Sequence, residues 1–167
     1  MSVRVCSLIL DGARDGNQAI PADGQYHTIL FPFGSRESYD ANNMHQMAQP
    51  DGYTITSWKT DERSGLIWPS HNGWGTITGM IYWADGSYSE LCDRISRDPL
   101  GFTDDPNNTT ATEHRPVTGG INPFHKTHEL FVHPGVPLAI QVKTNSPAEI
   151  YHAQFKLAIE TDVAEGT

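Results

Sequence analysis

The chain has 167 residues, enough for one domain with a full core, and only 37% of them are hydrophobic, with 15 Gly and 11 Pro. A turn-rich chain with a thin apolar content points to an all-β sandwich and argues against a helical bundle. The net charge of −9, with 11 Lys plus Arg against 20 Asp plus Glu, leaves no basic cluster for phosphates or anionic lipid, which argues against nucleic acid and a membrane surface as partners.

Residues 3–10 alternate and predict a first strand, followed by a link punctuated by Asp11-Gly12, Asp15-Gly16 and Asp23-Gly24. A second strand is expected over residues 26–33, with Ile29, Phe31 and Phe33 on one face. Residues 39–45 read as a polar loop that packs Tyr39 and Met44, residues 53–58 alternate again, and 65–68 form a short piece. Residues 73–83 carry the clearest signal: Ile77, Ile81 and Trp83 point one way, Thr76, Thr78, Met80 and Tyr82 the other, and the strand ends at an Asp85-Gly86 turn. Gly75 and Gly79 in this strand predict close approach of a neighbouring element. Residues 88–96 follow, with Leu91 and Ile95 inward. Residues 98–126 are rich in Pro, Gly, Asn and Thr and read as a long loop with one short strand near 112–117, long enough to be functional or an interface element. Three strands close the chain: His128, Leu130 and Val132; Leu138, Ile140 and Val142; and Tyr151, Ala153, Phe155, Leu157 and Ile159, each set sharing a face. Nothing shows a 3.6-residue period over ten residues, a linker or a repeat. The expectation is about nine or ten antiparallel strands in one sandwich.

Catalytic patterns are missing. There is no Gly-x-Ser-x-Gly, no phosphate-binding glycine loop and no His-Glu-x-x-His. The acid pairs Asp61-Glu62 and Asp104-Asp105 are sequence neighbours in turn-like stretches, as solvated loops are. His125 and His128, three apart on a strand, face opposite ways, and no paired carboxylate or Cys joins them and His114 in a tetrahedral set. The loop 104–109 lacks the spaced acids of a calcium site. No catalytic residue, metal or cofactor is therefore expected. Cys6 and Cys92 lie in apolar, strand-like stretches and read as buried thiols, although a bridge between distant strands fits the sequence too. Among the four tryptophans, Trp83 reads as core, whereas Trp68 and Trp74 flank a turn and are the expected exposed pair. Nothing approaches the ~20 apolar residues of a membrane span, and the opening Ser2-Val3-Arg4-Val5 lacks the form of a secretion signal.

Several stretches fall in the order found in C1q/TNF-like jelly rolls of tailed-phage virion proteins. Residues 28–33 followed by Glu37-Ser38-Tyr39-Asp40 and Met44-His45 resemble that family's early strand and loop. Residues 72–84 are similar to its central strand, Glu113-His114-Arg115-Pro116-Val117 to a Thr-Arg-Pro stretch, 130–135 with 138–142 to a hairpin, and 151–159 to the closing strand. The resemblance implies a jelly roll over residues 26–160 that assembles as a homotrimer with aromatic residues at the axis. Residues 1–25 would be an N-terminal strand and link that docks on a neighbour, and 161–167 a polar tail. Core and trimer packing falls to Phe31, Phe33, Ile77, Ile81, Trp83, Leu138, Ile140, Val142, Tyr151, Phe155 and Leu157. Docking or surface contact falls to Val3, Val5, Leu100, Phe102, Phe124, Trp68 and Trp74. The implied function is non-enzymatic: a small minor tail or tail-tip protein in a virion, made in the host cytoplasm without export. Its partners are itself and other virion proteins. A capsid decoration protein, or a module binding a bacterial surface glycan or receptor, are the alternatives.

Overall fold

The computed structural model describes residues 1–162, leaving aside the side chains of Thr109 and Thr110. Among these residues two antiparallel sheets stack face to face. The first has the order β1 (Ser2–Asp11), β9 (Ala148–Thr161), β4 (Gly73–Trp83), β7 (Asn122–Val132), with β2 (Gln18–Ile20) also pairing β9. The second runs β3 (His27–Thr28), β8 (Leu138–Thr144), β5 (Glu90–Arg97), β6 (Asn108–Pro116). This is an antiparallel β-sandwich of jelly-roll form.

The core lies between the sheets and follows from the period-two patterning. Cys6, Leu8 and Leu10 of β1, Ile77, Ile81 and Trp83 of β4, Leu138, Ile140 and Val142 of β8, and Phe155, Leu157 and Ile159 of β9 are all buried in one cluster with Phe31. The two glycines of β4 sit where expected. A Cβ on Gly79 would come within 2.5 Å of Ile140 Cδ1 from the opposite sheet, and one on Gly75 within 2.9 Å of Val132 Cγ1. At Gly79 the missing side chain admits the facing isoleucine and so sets how closely the sheets approach.

Residues 1–25 supply β1 and β2. β1 pairs β9 over its whole length, from Ser2 opposite Thr161 to Asp11 opposite His152. Asp11 then caps a single helical turn, α1 (Gly12–Asp15), by accepting from Ala13 N, and β2 continues along the same edge opposite residues 148–150. The far edge of β1 is covered at one point, where Ser7 and Tyr39 exchange backbone hydrogen bonds of 2.8 and 3.0 Å. Thr161 completes β9, and its hydroxyl meets that of Ser2 at 2.7 Å. The rest of the tail, beyond Asp162, lies outside the described residues.

Several expected elements differ. The strand expected over 26–33 pairs β8 as β3 for two residues. Ile29 N still donates to Ile140 O at 3.0 Å, but Leu30 N turns to the Gln18 side chain. Pro32, which has no N–H, cannot extend the ladder. The vacated edge of β8 is taken by Ile67, which exchanges backbone hydrogen bonds with Leu138. Residues 53–58 are not a strand. Local turns around Asp51-Gly52 satisfy that backbone, with Gln49 N donating to Tyr53 O and Ile55 N to Met47 O. Of the side chains expected to pack from the 39–45 loop, Met44 is buried and Tyr39 is exposed. The loop expected over 98–126 holds β6 and the first half of β7. β6 is an edge strand with polar residues on both faces, and β7 turns Asn122 and Lys126 inward, so neither shows hydrophobic alternation.

Candidate self-association surface

The outer face of the first sheet holds the expected contact residues Val3, Val5 and Trp74. Its register across β7, β4, β9 and β1 forms rows. Phe131, Trp74, Glu160 and Val3 make one. Glu129, Thr76, Ala158 and Val5 make the next, then Thr127, Thr78, Lys156 and Ser7, and then His125, Met80, Gln154 and Ile9. In these rows the formal charges are Glu129, Lys156 and Glu160; the remaining side chains are neutral and largely half-buried within the single chain.

The end of the face toward Tyr82 is aromatic because of an irregularity in β9. Tyr82 of β4 opposes His152, yet Trp83 opposes Ile150, so Tyr151 is an extra residue in the ladder. Such a bulge shifts the alternation by one. It puts Tyr151 outside rather than in the core where the sequence pattern placed it. There its ring lies 5.7 Å from that of Tyr82, and the His152 ring lies 5.4 Å from the same tyrosine. The opposite end carries exposed Val3 (57%), Trp74 (46%) and Phe131 (49%) in one row.

The other expected contact residues divide into places of different character. Val3, Val5 and Trp74 belong to this outer face. Trp68 is not exposed: it is 3% accessible and forms a small second core with Leu66, Ala139 and Leu100. Exposed Phe102 lies 5.9 Å from its ring. Phe124 packs against the main core beneath the Arg115 guanidinium, 4.8 Å away. Phe33 is half-buried and stacks on His45 with ring centroids 4.1 Å apart.

Polar groups inside the sandwich serve the architecture. Asp93 of β5 points inward and meets Lys126 Nζ of β7 at 2.5 Å and Arg115 Nε of β6 at 2.6 Å. Arg115 also pairs with Glu113. This network ties the sheets together at the β6–β7 side. Buried His45 lies between Glu37 Oε1 (2.9 Å) and Ser64 O (2.6 Å) and anchors the long segment between β3 and β4. Buried Asp98 accepts from Phe102 N, Thr103 N and Thr103 Oγ1, each at 2.8 Å or less. Burial raises the pKa of this carboxyl, but these hydrogen bonds outweigh it and hold the group below its usual value.

The acid pairs act in turns as well. Asp61 accepts from Arg63 N and Tyr53 Oη, and Asp105 from Asn108 Nδ2. His125 and His128 fall on opposite faces of β7, exposed and half-buried. Cys6 and Cys92 are free thiols. Burial, with Asp40 and Glu37 nearby, pushes Cys6 far above the thiol range.

The fold matches solved structures. Eiger TNF from S. frugiperda aligns over 98% of this chain and 98% of its own, with a TM-score of 0.60 at 15% identity. The globular domain of zebrafish complement 1qA aligns over 92% and 94%, at 0.59 and 14% identity. Murine APRIL at pH 5.0 aligns over 95% and 100%, at 0.57 and 9% identity. The fold is the C1q/TNF jelly roll. No family model and no curated protein sequence matches the chain. Seen within the C1q/TNF fold, residues 1–25 are an ordinary part of the sandwich, since β1 fills a place in the first sheet. No helix among the described residues is long and apolar enough to cross a membrane.

Proposed function

We propose that the chain is a non-enzymatic structural module that assembles as a homotrimer through the outer face of its first sheet, and that it serves as a small tail or tail-tip component of a tailed-phage particle. The observation that carries the self-association is the Tyr82–Tyr151–His152 cluster beside Met80 and Gln154. It is a half-buried aromatic surface on the outer face of the sheet, with Asp11 opposite His152 in the same row. Burying such rings is a strong driving force for association. The particle role rests on the resemblance of residues 26–160 to virion jelly rolls, with capsid decoration as its alternative location.

A glycan-binding role is the second reading. It is favoured by a cleft of about 300 Å³ in which the half-buried Trp58 ring stands beside Lys59, Asn17, Asp15 and Gln18. Aromatic faces with flanking polar groups suit sugar rings.

Multi-angle light scattering tests the assembly. The wild-type chain is expected at three times its monomer mass at micromolar concentration, and a Tyr82→Glu/Tyr151→Glu variant at one times. A monomeric wild type, or a folded double variant that remains trimeric, overturns the reading. Mass spectrometry of purified particles tests the location, and absence of the chain from them overturns the virion role.

A further inference from the structure

On the solvent face of the second sheet, three donors of different chemistry meet at one point. Glu90 and Cys92 lie two apart on β5 and so share a face. His114 stands directly opposite Cys92 on β6. His114 Nδ1 is 2.6 Å from Glu90 Oε1, and Cys92 Sγ is 3.5 Å from the same oxygen. The three donor atoms lie within 4.8 Å of one another.

The two cysteines differ in what surrounds them. Cys6 belongs to the main core. Cys92 lies outside that core cluster and is buried instead in the lining of an open cavity of about 350 Å³, together with Ala22, Gly24, Lys143 and Asn145. Packing between the sheets gives no reason for a thiol there, and a hydrogen-bonded carboxylate and imidazole beside it form a set of metal donors.

We propose that Glu90, Cys92 and His114 form a zinc(II) site whose fourth position opens into this cavity. Tetrahedral zinc, at about 2.0 Å from nitrogen or oxygen and about 2.3 Å from sulfur, sets its ligand atoms roughly 3.3–3.5 Å apart. Side-chain rotation that parts His114 from Glu90 by under about 1 Å makes room for the ion. One sulfur, one nitrogen and one oxygen suit a borderline ion, whereas calcium and magnesium call for oxygen alone. Cys92 binds as the thiolate and releases its proton to water. Lys143, opposite Cys92 on β8, lines the cavity onto which the fourth position opens, so a water or a small anion completes the set. The ion then clips edge strand β6 to β5.

Cobalt(II) titration of the metal-free chain tests the site, because a thiolate–cobalt bond gives a near-ultraviolet charge-transfer band and four-coordination gives intense visible bands. We expect saturation at one ion per chain and displacement by zinc(II). The charge-transfer band should be lost in Cys92→Ser and unchanged in Cys6→Ser, and the affinity should fall more than about tenfold in His114→Ala and Glu90→Gln. Circular dichroism confirms that each variant is folded. Zinc(II) should also raise the melting temperature of the wild type and not that of Cys92→Ser. A wild type without the thiolate band, a band that survives Cys92→Ser, affinity unaltered in His114→Ala, or equal thermal shifts in wild type and Cys92→Ser overturns the assignment.

Discussion

Truncation of Trp83 measures whether β4 is in the correct register. The side chain closes the inner face of that strand, fully buried, with Asn122 and Ile150 opposite it on the flanking strands and the Tyr88 ring 6.1 Å away. A buried tryptophan covers about 180 Å² more than alanine would, worth about 4.5 kcal/mol at ~25 cal/mol per Å². The indole Nε1 has no hydrogen-bond partner, so its removal returns about 1 kcal/mol. The cavity left behind takes a similar amount away again. The net expectation for Trp83→Ala is a loss of about 4.5 kcal/mol, or a fall in melting temperature of roughly 9–18 °C for a chain of this size. Urea and thermal unfolding should be followed by far-ultraviolet circular dichroism at one fixed protein concentration, with Trp83→Phe alongside. The phenylalanine variant should recover more than half of the loss. A Trp83→Ala midpoint within about 1 kcal/mol of wild type would mean that the strand is slipped by one residue and that Tyr82, not Trp83, faces the core.

Two further changes address the buried charges. Lys126→Met leaves Asp93 with Arg115 alone in the interior and should cost about 3–5 kcal/mol in urea unfolding, whereas the double change Asp93→Leu/Lys126→Met should recover most of it; equal losses in the single and double variants would show that the pair does not couple the sheets. Asp98 has its pKa held below the ordinary 3.8, so the stability it adds is complete above that ordinary value and is lost as the pH falls through the lower folded-state value. Asp98→Asn, which also tolerates the positive φ of 56° at this position, should therefore lie well below wild type in urea midpoint at pH 7, with a gap that narrows as the pH falls below 3.8; a gap that widens on acidification would contradict the sign.

The parts of the fold legible in the sequence are those where one face is apolar. β4 alternates because its inner residues Ile77, Ile81 and Trp83 meet the opposite sheet while Thr76, Thr78 and Tyr82 do not, and the same logic reveals β1, β5, β8 and most of β9. β6 was nearly invisible because an edge strand with residues such as Thr112, Glu113 and His114 buries little on either side. The start of β7 was hidden for the opposite reason: Lys126 points inward and is matched by Asp93 across the sandwich, a pairing that no local pattern reveals. Residues 53–58 show the converse error, since alternation can arise in a segment whose backbone is satisfied by turns. At the candidate surface, Trp74 and Val3 could be placed from alternation alone. Tyr151 could not, because the bulge that turns it outward is a property of how β9 meets β4. The Glu90–Cys92–His114 cluster needs the β5–β6 register before His114 comes near Cys92, twenty-two positions away in the sequence.

The position of β9 bears on how the molecule comes into being. Among the described strands this one is made last, yet it lies inside the first sheet and pairs with β1, β2 and β4. Until it emerges from the ribosome, β1 has no ladder partner beyond the single bridge to Tyr39, and Cys6, Leu8, Leu10, Ile77 and Ile81 have no Phe155 or Leu157 to close over them. Contacts this far apart in sequence carry a high loop-closure cost and fold slowly. The nascent chain therefore carries an exposed apolar strand while β2 to β8 are made, and formation of the sandwich waits for one cooperative step when β9 arrives.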